Sequence, residues 1–320
     1  MIRTPLTRWF DLTTPIIGAP MAGVSGGALA RAVSLGGGLG MIGISGAATA
    51  EFVTKQCAIA AEDDVSFGVG LMVWVLDDRP DLLAATIAAE PSLVSVSFGD
   101  PAPYVGPLHD AGIAVAAQVN TVADIQRAEA AAVDVIVVQG TEAGGHTGQR
   151  AMLPLLQEAG SLTDRPVVAA GGIATGRGMA AALVAGAAGV WIGTPLLSCF
   201  EGLNSPAARA RVRAASGDDT VHTRAFDVAE GFAWPERWPG RALVNDFSRI
   251  WHGREKELRD DAAARQRVID GRRNGDPAAA PVYAGESVGL VVTERSATDV
   301  VLELDSEAEK ALRAAAKLLG

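Results

Sequence analysis

DVIVVQGTEAGGHTGQR, residues 134–150, is the stretch on which the reading of the whole chain turns. Val135, Ile136, Val137 and Val138 are apolar at successive positions, the pattern of a short strand buried on both faces. Gln139 ends the run, and Gly140, Gly144, Gly145 and Gly148 then surround His146. A strand that opens into a glycine-rich loop is the repeating unit of α/β folds, whose chemistry gathers at the carboxyl ends of the strands.

Working outward, the same unit recurs. PIIGA (15–19), LGMIG (39–43), SFGVGLMV (66–73), LVSVSF (93–98), IAVAAQV (113–119), DVIVVQ (134–139), PVVAAG (166–171) and AGVWIG (188–193) all read as strands. Apolar residues at helical spacing separate them, for example Ala28, Leu29, Ala32 and Val33, or Ile125, Ala128 and Ala132. An open doubly wound sheet uses the same units, but a count of eight points to a (β/α)8 TIM barrel over residues 1–199. After Thr194 the pattern changes. Residues 200–282, with WPERWPG (234–240) and a long charged helix, read as a helical, lid-like insertion, and residues 283–320 as a segment returning to the barrel. In that last segment Val300, Val301, Leu304, Ala308, Ala311 and Leu312 form the apolar stripe of a closing helix.

Composition narrows the classes. Hydrophobic residues make up 49% but aromatics only 5%, so the core is built from Ala, Val, Leu and Ile, as suits a parallel sheet under Ala-rich helices. A net charge of −10 argues against nucleic acid or an anionic membrane as partner, and a small-molecule substrate is expected instead. The Arg and Lys residues of 254–273 alternate with Glu and Asp, which describes a solvated helix face. Cys57 and Cys199 lie too far apart in sequence to suggest a disulfide framework, and the expected compartment is the reducing cytoplasm. His109, His222 and His252 show no metal-ligand spacing, so no metal is expected. The N-terminus has no apolar run of signal-peptide length, and the Ala-rich region after Met179 is broken by glycines and a proline.

Four strand ends carry the chemistry: APMAGVSGG, QGTEAGGHTG, AGGIATGRG and IGTPLL. Gly171, Gly172, Gly193 and Thr194, after strands seven and eight, are candidates for a phosphate cradle of backbone N–H groups. His146 has no apolar shell in its local sequence, so an exposed ring, covered by substrate and acting as general base or orienting group, is expected; Glu142 could tune it or serve as a surface or helix-capping residue. Gln139 suits the edge of a heteroaromatic ring because an amide both donates and accepts; Gln118, Asn120 and Ser97 invite the same reading with less support. Two matches are set aside. Gly38 to Gly43 fits G-x-G-x-x-G but runs into a strand instead of leaving one. Gly23-Val24-Ser25-Gly26-Gly27 fits the nucleophile elbow, yet only one strand precedes it and no acid and histidine follow in the expected order.

With PIIGAPMAG, QGTEAGGHTG and AAGGIATGRG in this order, the chain resembles the nitronate monooxygenases, formerly 2-nitropropane dioxygenases. This is a family of FMN-dependent barrels that also holds NADH:quinone reductases and the flavin type of enoyl-ACP reductase. The likeness runs from about Pro15 to Thr194 and resumes at YAGESVGL (283–290). It implies FMN as cofactor, with Ala19, Pro20 and Met21 along the ring, Gln139, Gly144 and Gly145 in contact with it, and Gly171, Gly172, Gly193 and Thr194 at its phosphate. Gly70, Trp191 and Ile192 fall at further cofactor positions. His146 falls on the family's catalytic histidine, which abstracts a proton from neutral nitroalkanes or positions the nitronate, with molecular oxygen as co-substrate. Two departures stand out: Gly70 replaces an Asn found in many relatives, and Trp191 replaces a Gln. Trp74 could wall the pocket or pack beneath a loop. The alternatives that stay open are an NAD(P)H-dependent flavin reductase of quinones or enoyl thioesters, and a flavin-binding barrel without turnover. A homo-oligomer is also left open.

Overall fold

The computed structural model describes residues 1–319. Eight parallel strands follow one another in sequence: β1 (Ile16–Gly18), β2 (Gly40–Gly43), β3 (Phe67–Met72), β4 (Leu93–Ser97), β5 (Ala114–Val119), β6 (Val135–Gln139), β7 (Val167–Ala170) and β8 (Gly189–Ile192). Each pairs in parallel with the next from β2 to β8, and β8 pairs with β1. Between β1 and β2 the N–H of Gly18 donates to Leu39 O at 2.9 Å and the N–H of Leu39 to Ile16 O at 2.9 Å, which closes the barrel.

Alternation along these strands divides the apolar residues into two sets. Ile17, Leu39, Met41, Leu93, Val137, Ala170 and Trp191 point inward and fill the barrel. Ile16, Ile42, Val69, Val94, Val115, Ile136, Ala169 and Ile192 point outward beneath the helices. Leu6, from the short N-terminal helix Pro5–Trp9, joins the inner set and stoppers the amino end. The helices start where the sequence supplies a cap: the hydroxyls of Thr49, Thr121, Thr175 and Ser296 each accept the N–H three residues on.

The closing helix, Ala297–Ala316, buries Val300, Val301, Leu304 and Ala308 against the helices Gly176–Val184 and Gly27–Leu35. Ala311 and Leu312 are only half-buried, so the predicted stripe thins toward its end. The insertion carries five α-helices: Ala225–Glu230, Asp246–Trp251, Glu255–Asp260 and Ala262–Asn274 pack around Phe226, Phe247, Leu258 and Val268, while Pro206–Arg213 packs through Val212 against Leu197, Leu243 and Val288. It also carries two strands that the sequence reading did not place. Thr220–Thr223 and Gly240–Leu243 pair antiparallel, and the second pairs in turn with Gly145–His146 of the loop after β6. Their alternation is too short to register as strand pattern, and pairing with a distant loop leaves no local signal. No helix among the described residues is long and apolar enough to cross a membrane.

Candidate active site

The predicted residues of the first loop meet those of β3 and β8 at the carboxyl end of the barrel. A Cβ added at Gly70 would run into the Cβ and Cγ of Pro20. The absence of a side chain at position 70 is therefore matched by the proline ring that takes its space. A Cβ at Gly193 would lie 3.3 Å from Ala19 Cβ and 3.2 Å from Met21 Sδ, so both residues line the same rim. Trp191 sits inside the barrel and Ile192 outside it under the helices, so the Ile192 side chain is not brought to the mouth. The Ile192 carbonyl instead accepts the Ala19 N–H at 2.8 Å. Ser25 is buried and donates to Ala19 O at 2.8 Å, which makes it a strut of this loop and removes the nucleophile-elbow reading.

Gln139 is held by a one-way chain of hydrogen bonds. The indole of Trp238, which can only donate, gives its Nε1–H to Asn120 Oδ1 at 3.0 Å. Asn120 must then turn its Nδ2 to Gln139, donating to Oε1 at 3.0 Å and to the backbone O at 3.1 Å. Gln118 Nε2 donates to the same Oε1 at 2.8 Å. With its oxygen so occupied, Gln139 has its amino group left to offer, and the sequence-level ambiguity between donor and acceptor is resolved by a residue of the insertion.

The loops after β7 and β8 carry the expected donors. Gly171 and Gly172 adopt φ of +113° and +68°, conformations that favour glycine. The N–H groups of Gly171, Gly172 and Gly193 donate to no acceptor among the described residues. Thr194 Oγ1 accepts the N–H of Gly285 at 3.0 Å, and a Cβ at Gly144 would lie within 2.6 Å of the Ala284–Gly285 backbone. The segment around YAGES is thereby bound to the rim. Uncommitted backbone N–H groups on glycine turns are a donor set that fits a phosphate. Of the readings open for Glu142, the structure shows the helix cap, at the first residue of the helix Met152–Ala159. Its carboxylate lies over Gly140 and accepts the Met152 N–H at 3.1 Å.

His146 requires the main correction. The sequence reading left it bare; the structure leaves it 9% exposed. Its Nε2 lies 2.9 Å from Asp227 Oδ1, and Trp234 stacks on it with centroids 3.5 Å apart and planes 7° apart. Tyr283 lies to it at 5.4 Å and 48°. Asp227, Trp234 and Tyr283 all come from beyond β8, so no neighbour in sequence announced this cover. Trp74 and Phe98 extend the aromatic wall, 5.1 Å and 4.9 Å from Trp234, so Trp74 faces the mouth.

Charge around this histidine is managed by burial. Burial raises the Glu230 carboxyl, while Arg272, bound through both carboxylate oxygens, pulls it down. Burial and the nearby Asp227 hold the Tyr283 phenol well above its ordinary value, so it stays protonated. Burial likewise lowers His222, whose Nε2 lies 2.9 Å from Pro239 O. No cluster of three or more His, Cys, Asp or Glu suited to a metal occurs among the described residues.

Comparison with known proteins follows the same outline. The family model described as nitronate monooxygenase matches residues 80–306. The nitronate monooxygenase of Neurospora crassa is 30% identical over 97% of this chain and 93% of its own. Among solved structures, FabK from Thermotoga maritima superposes with a TM-score of 0.87 at 28% identity, over 99% of this chain and 100% of that one. Nitroalkane oxidase from Streptomyces ansochromogenes does so at 0.82 and 28%, over 97% and 99%. The chain spans only 61% and 64% of the length of two other curated relatives, 35% and 33% identical to it.

Proposed function

We infer that this chain, which belongs to the nitronate monooxygenase family, binds FMN at the carboxyl end of its barrel and oxidises alkyl nitronates, with His146 as the group that takes or holds the substrate proton. The observation that carries this reading is the His146 ring itself. It is clamped by Asp227 and Trp234 in the loop after β6, and the loops after β7 and β8 carry uncommitted backbone N–H groups. The likeness to nitroalkane oxidase over nearly the whole chain supports it.

In this reading Gly171, Gly172, Gly193 and Thr194 hold the phosphate, while Ala19, Pro20, Met21, Gly144, Gly145 and the oriented amide of Gln139 line the ring. Bound FMN supplies the electron acceptor that links the substrate to molecular oxygen, with a carbonyl compound and nitrite as products. The chain's own residues bind and orient. His146 accepts the α-proton of a neutral nitroalkane, or fixes the nitro group of a nitronate already formed. Trp74, Phe98 and Trp234 keep water from the reacting carbon.

Oxygen uptake by the flavin-loaded protein with ethyl nitronate or propionate 3-nitronate tests the assignment, and an absence of uptake above the buffer rate overturns it. In a His146→Ala variant that retains its flavin, turnover of neutral nitroethane should fall by about 10²–10⁴-fold, the ordinary contribution of a positioned base. The fit of the whole chain to FabK favours a second reading, an NAD(P)H-dependent flavin reductase of quinones or enoyl thioesters. Anaerobic bleaching of the flavin by NADH or NADPH would select it.

A further inference from the structure

We propose that Asp227 is the positioning residue of His146: it keeps the imidazole proton on Nε2, and so makes Nδ1 the atom that deprotonates a neutral carbon acid. The proposal rests on the reading of His146 as a base and adds to it an atom and a partner.

The geometry restricts the ring in every direction. Gly145 and His146 pair with Arg241 and Gly240, so the backbone beneath the side chain is fixed by a strand of the insertion. Trp234 covers one face in parallel contact and Tyr283 stands against the ring at a tilt. A ring stacked on a face and hydrogen-bonded at one nitrogen has no freedom to turn over. Both partners of the 2.9 Å contact are nearly sealed, with 8% of the His146 side chain and 3% of the Asp227 side chain exposed. A carboxylate accepts and does not donate, so the shared proton belongs to Nε2.

Nδ1 is then the free position. It pairs with no group among the described residues. Its lone pair lies in the plane of the ring, whereas Trp234 stacks on a face.

Besides His146, the group turned to Asp227 is the protonated Tyr283 phenol. Glu230 is neutralised by Arg272, Tyr283 stays protonated, and His222 is held toward its neutral form and turned to Pro239. Asp227 Oδ2 is buried without a hydrogen-bond partner.

The step itself is a proton transfer. The α C–H bond of a nitroalkane breaks toward Nδ1. Its electron pair becomes the C=N bond of the nitronate, and the negative charge moves onto the nitro oxygens. The imidazolium that results is paired at Nε2 with Asp227. Preformed nitronate does not need this step, so the two substrates should part company when Asp227 is changed.

The test is Asp227→Asn, whose amide can donate to Nε2 and so drive the ring proton to Nδ1. Long-range ¹H–¹⁵N spectra of the ¹⁵N-labelled flavoprotein, with His146 assigned by its loss in His146→Gln, should show a neutral Nε2–H ring in the wild type and a different tautomer in the variant. At equal flavin content, kcat/KM for nitroethane should fall by about 10²-fold or more, while that for ethyl nitronate changes by less than about fivefold. Asp227→Glu should recover part of the nitroethane rate, and it carries the comparison if Asp227→Asn does not fold. A doubly protonated or Nδ1–H ring in the wild type, an unchanged tautomer in Asp227→Asn, or equal losses with both substrates would overturn the proposal. If the wild type turned over neither substrate, the nitronate reading would fall, and the tautomer comparison would still decide the role of Asp227.

Discussion

At position 70 one residue explains how the mouth of the barrel is built. Pro20 occupies the volume that a side chain there would need. Gly70→Ala must displace the proline or strain β3, and overpacking of this kind costs about 1–3 kcal/mol. A lower urea midpoint with an unchanged slope is the expected outcome, and Gly70→Asn should be at least as costly. The two cysteines are residue-scale facts of the opposite sort. Burial pushes both thiols up to about 12, and neither touches the site, so they serve as core filling.

Among the elements, the closing helix ties the end of the chain to its beginning. Leu304 is buried at the centre of its apolar face, which packs on the helices after β1 and β7. Leu304→Ala should destabilise by about 2–5 kcal/mol, the range for a large-to-small change in a packed core. Thermal and urea unfolding monitored by circular dichroism would register it, and a loss below ~1 kcal/mol would mean the helix contributes little to the fold. In the small antiparallel sheet, Gly240–Leu243 binds the strip that carries His146. Its partner strand and the helix bearing Asp227 belong to the same insertion, so the barrel supplies the histidine and the insertion supplies its restraint.

Taken as a whole molecule, the chain joins a barrel with uncommitted N–H groups at one end to an insertion whose aromatic residues close over that end. A ligand that binds only the folded protein stabilises it by an amount set by its concentration, about 2.7 kcal/mol at a hundredfold excess over Kd. FMN added to flavin-free protein should therefore raise the melting temperature by about 5 °C. In Gly171→Ala, whose backbone at φ +113° does not suit an alanine, the melting temperature should start lower and the FMN-dependent rise should shrink or vanish. An unchanged rise in that variant would remove Gly171 from the phosphate site.

Much of this was legible from one end of the chain to the other. The eight strands, the glycine turns and the closing helix announce themselves because each is a local matter: β-branched runs, helical spacing, threonine and serine caps. That Gly171, Gly172 and Gly193 lie at strand ends was legible for the same reason, whereas Ala19, Pro20 and Met21 were singled out by the family resemblance. The state of His146 was not legible. Its partner Asp227, its stacking partner Trp234 and its neighbour Tyr283 carry no fixed spacing from it, and an acid or a tryptophan on a surface helix looks the same in sequence as one that folds back over a loop. The polarity of Gln139 was hidden likewise, because an amide reads as donor or acceptor until Trp238, a donor only, settles the chain through Asn120. The barrel and the positions at its mouth follow from interactions between near neighbours in the chain. Which of those positions are covered, paired and oriented follows from contacts between segments that meet solely when the insertion closes on the barrel.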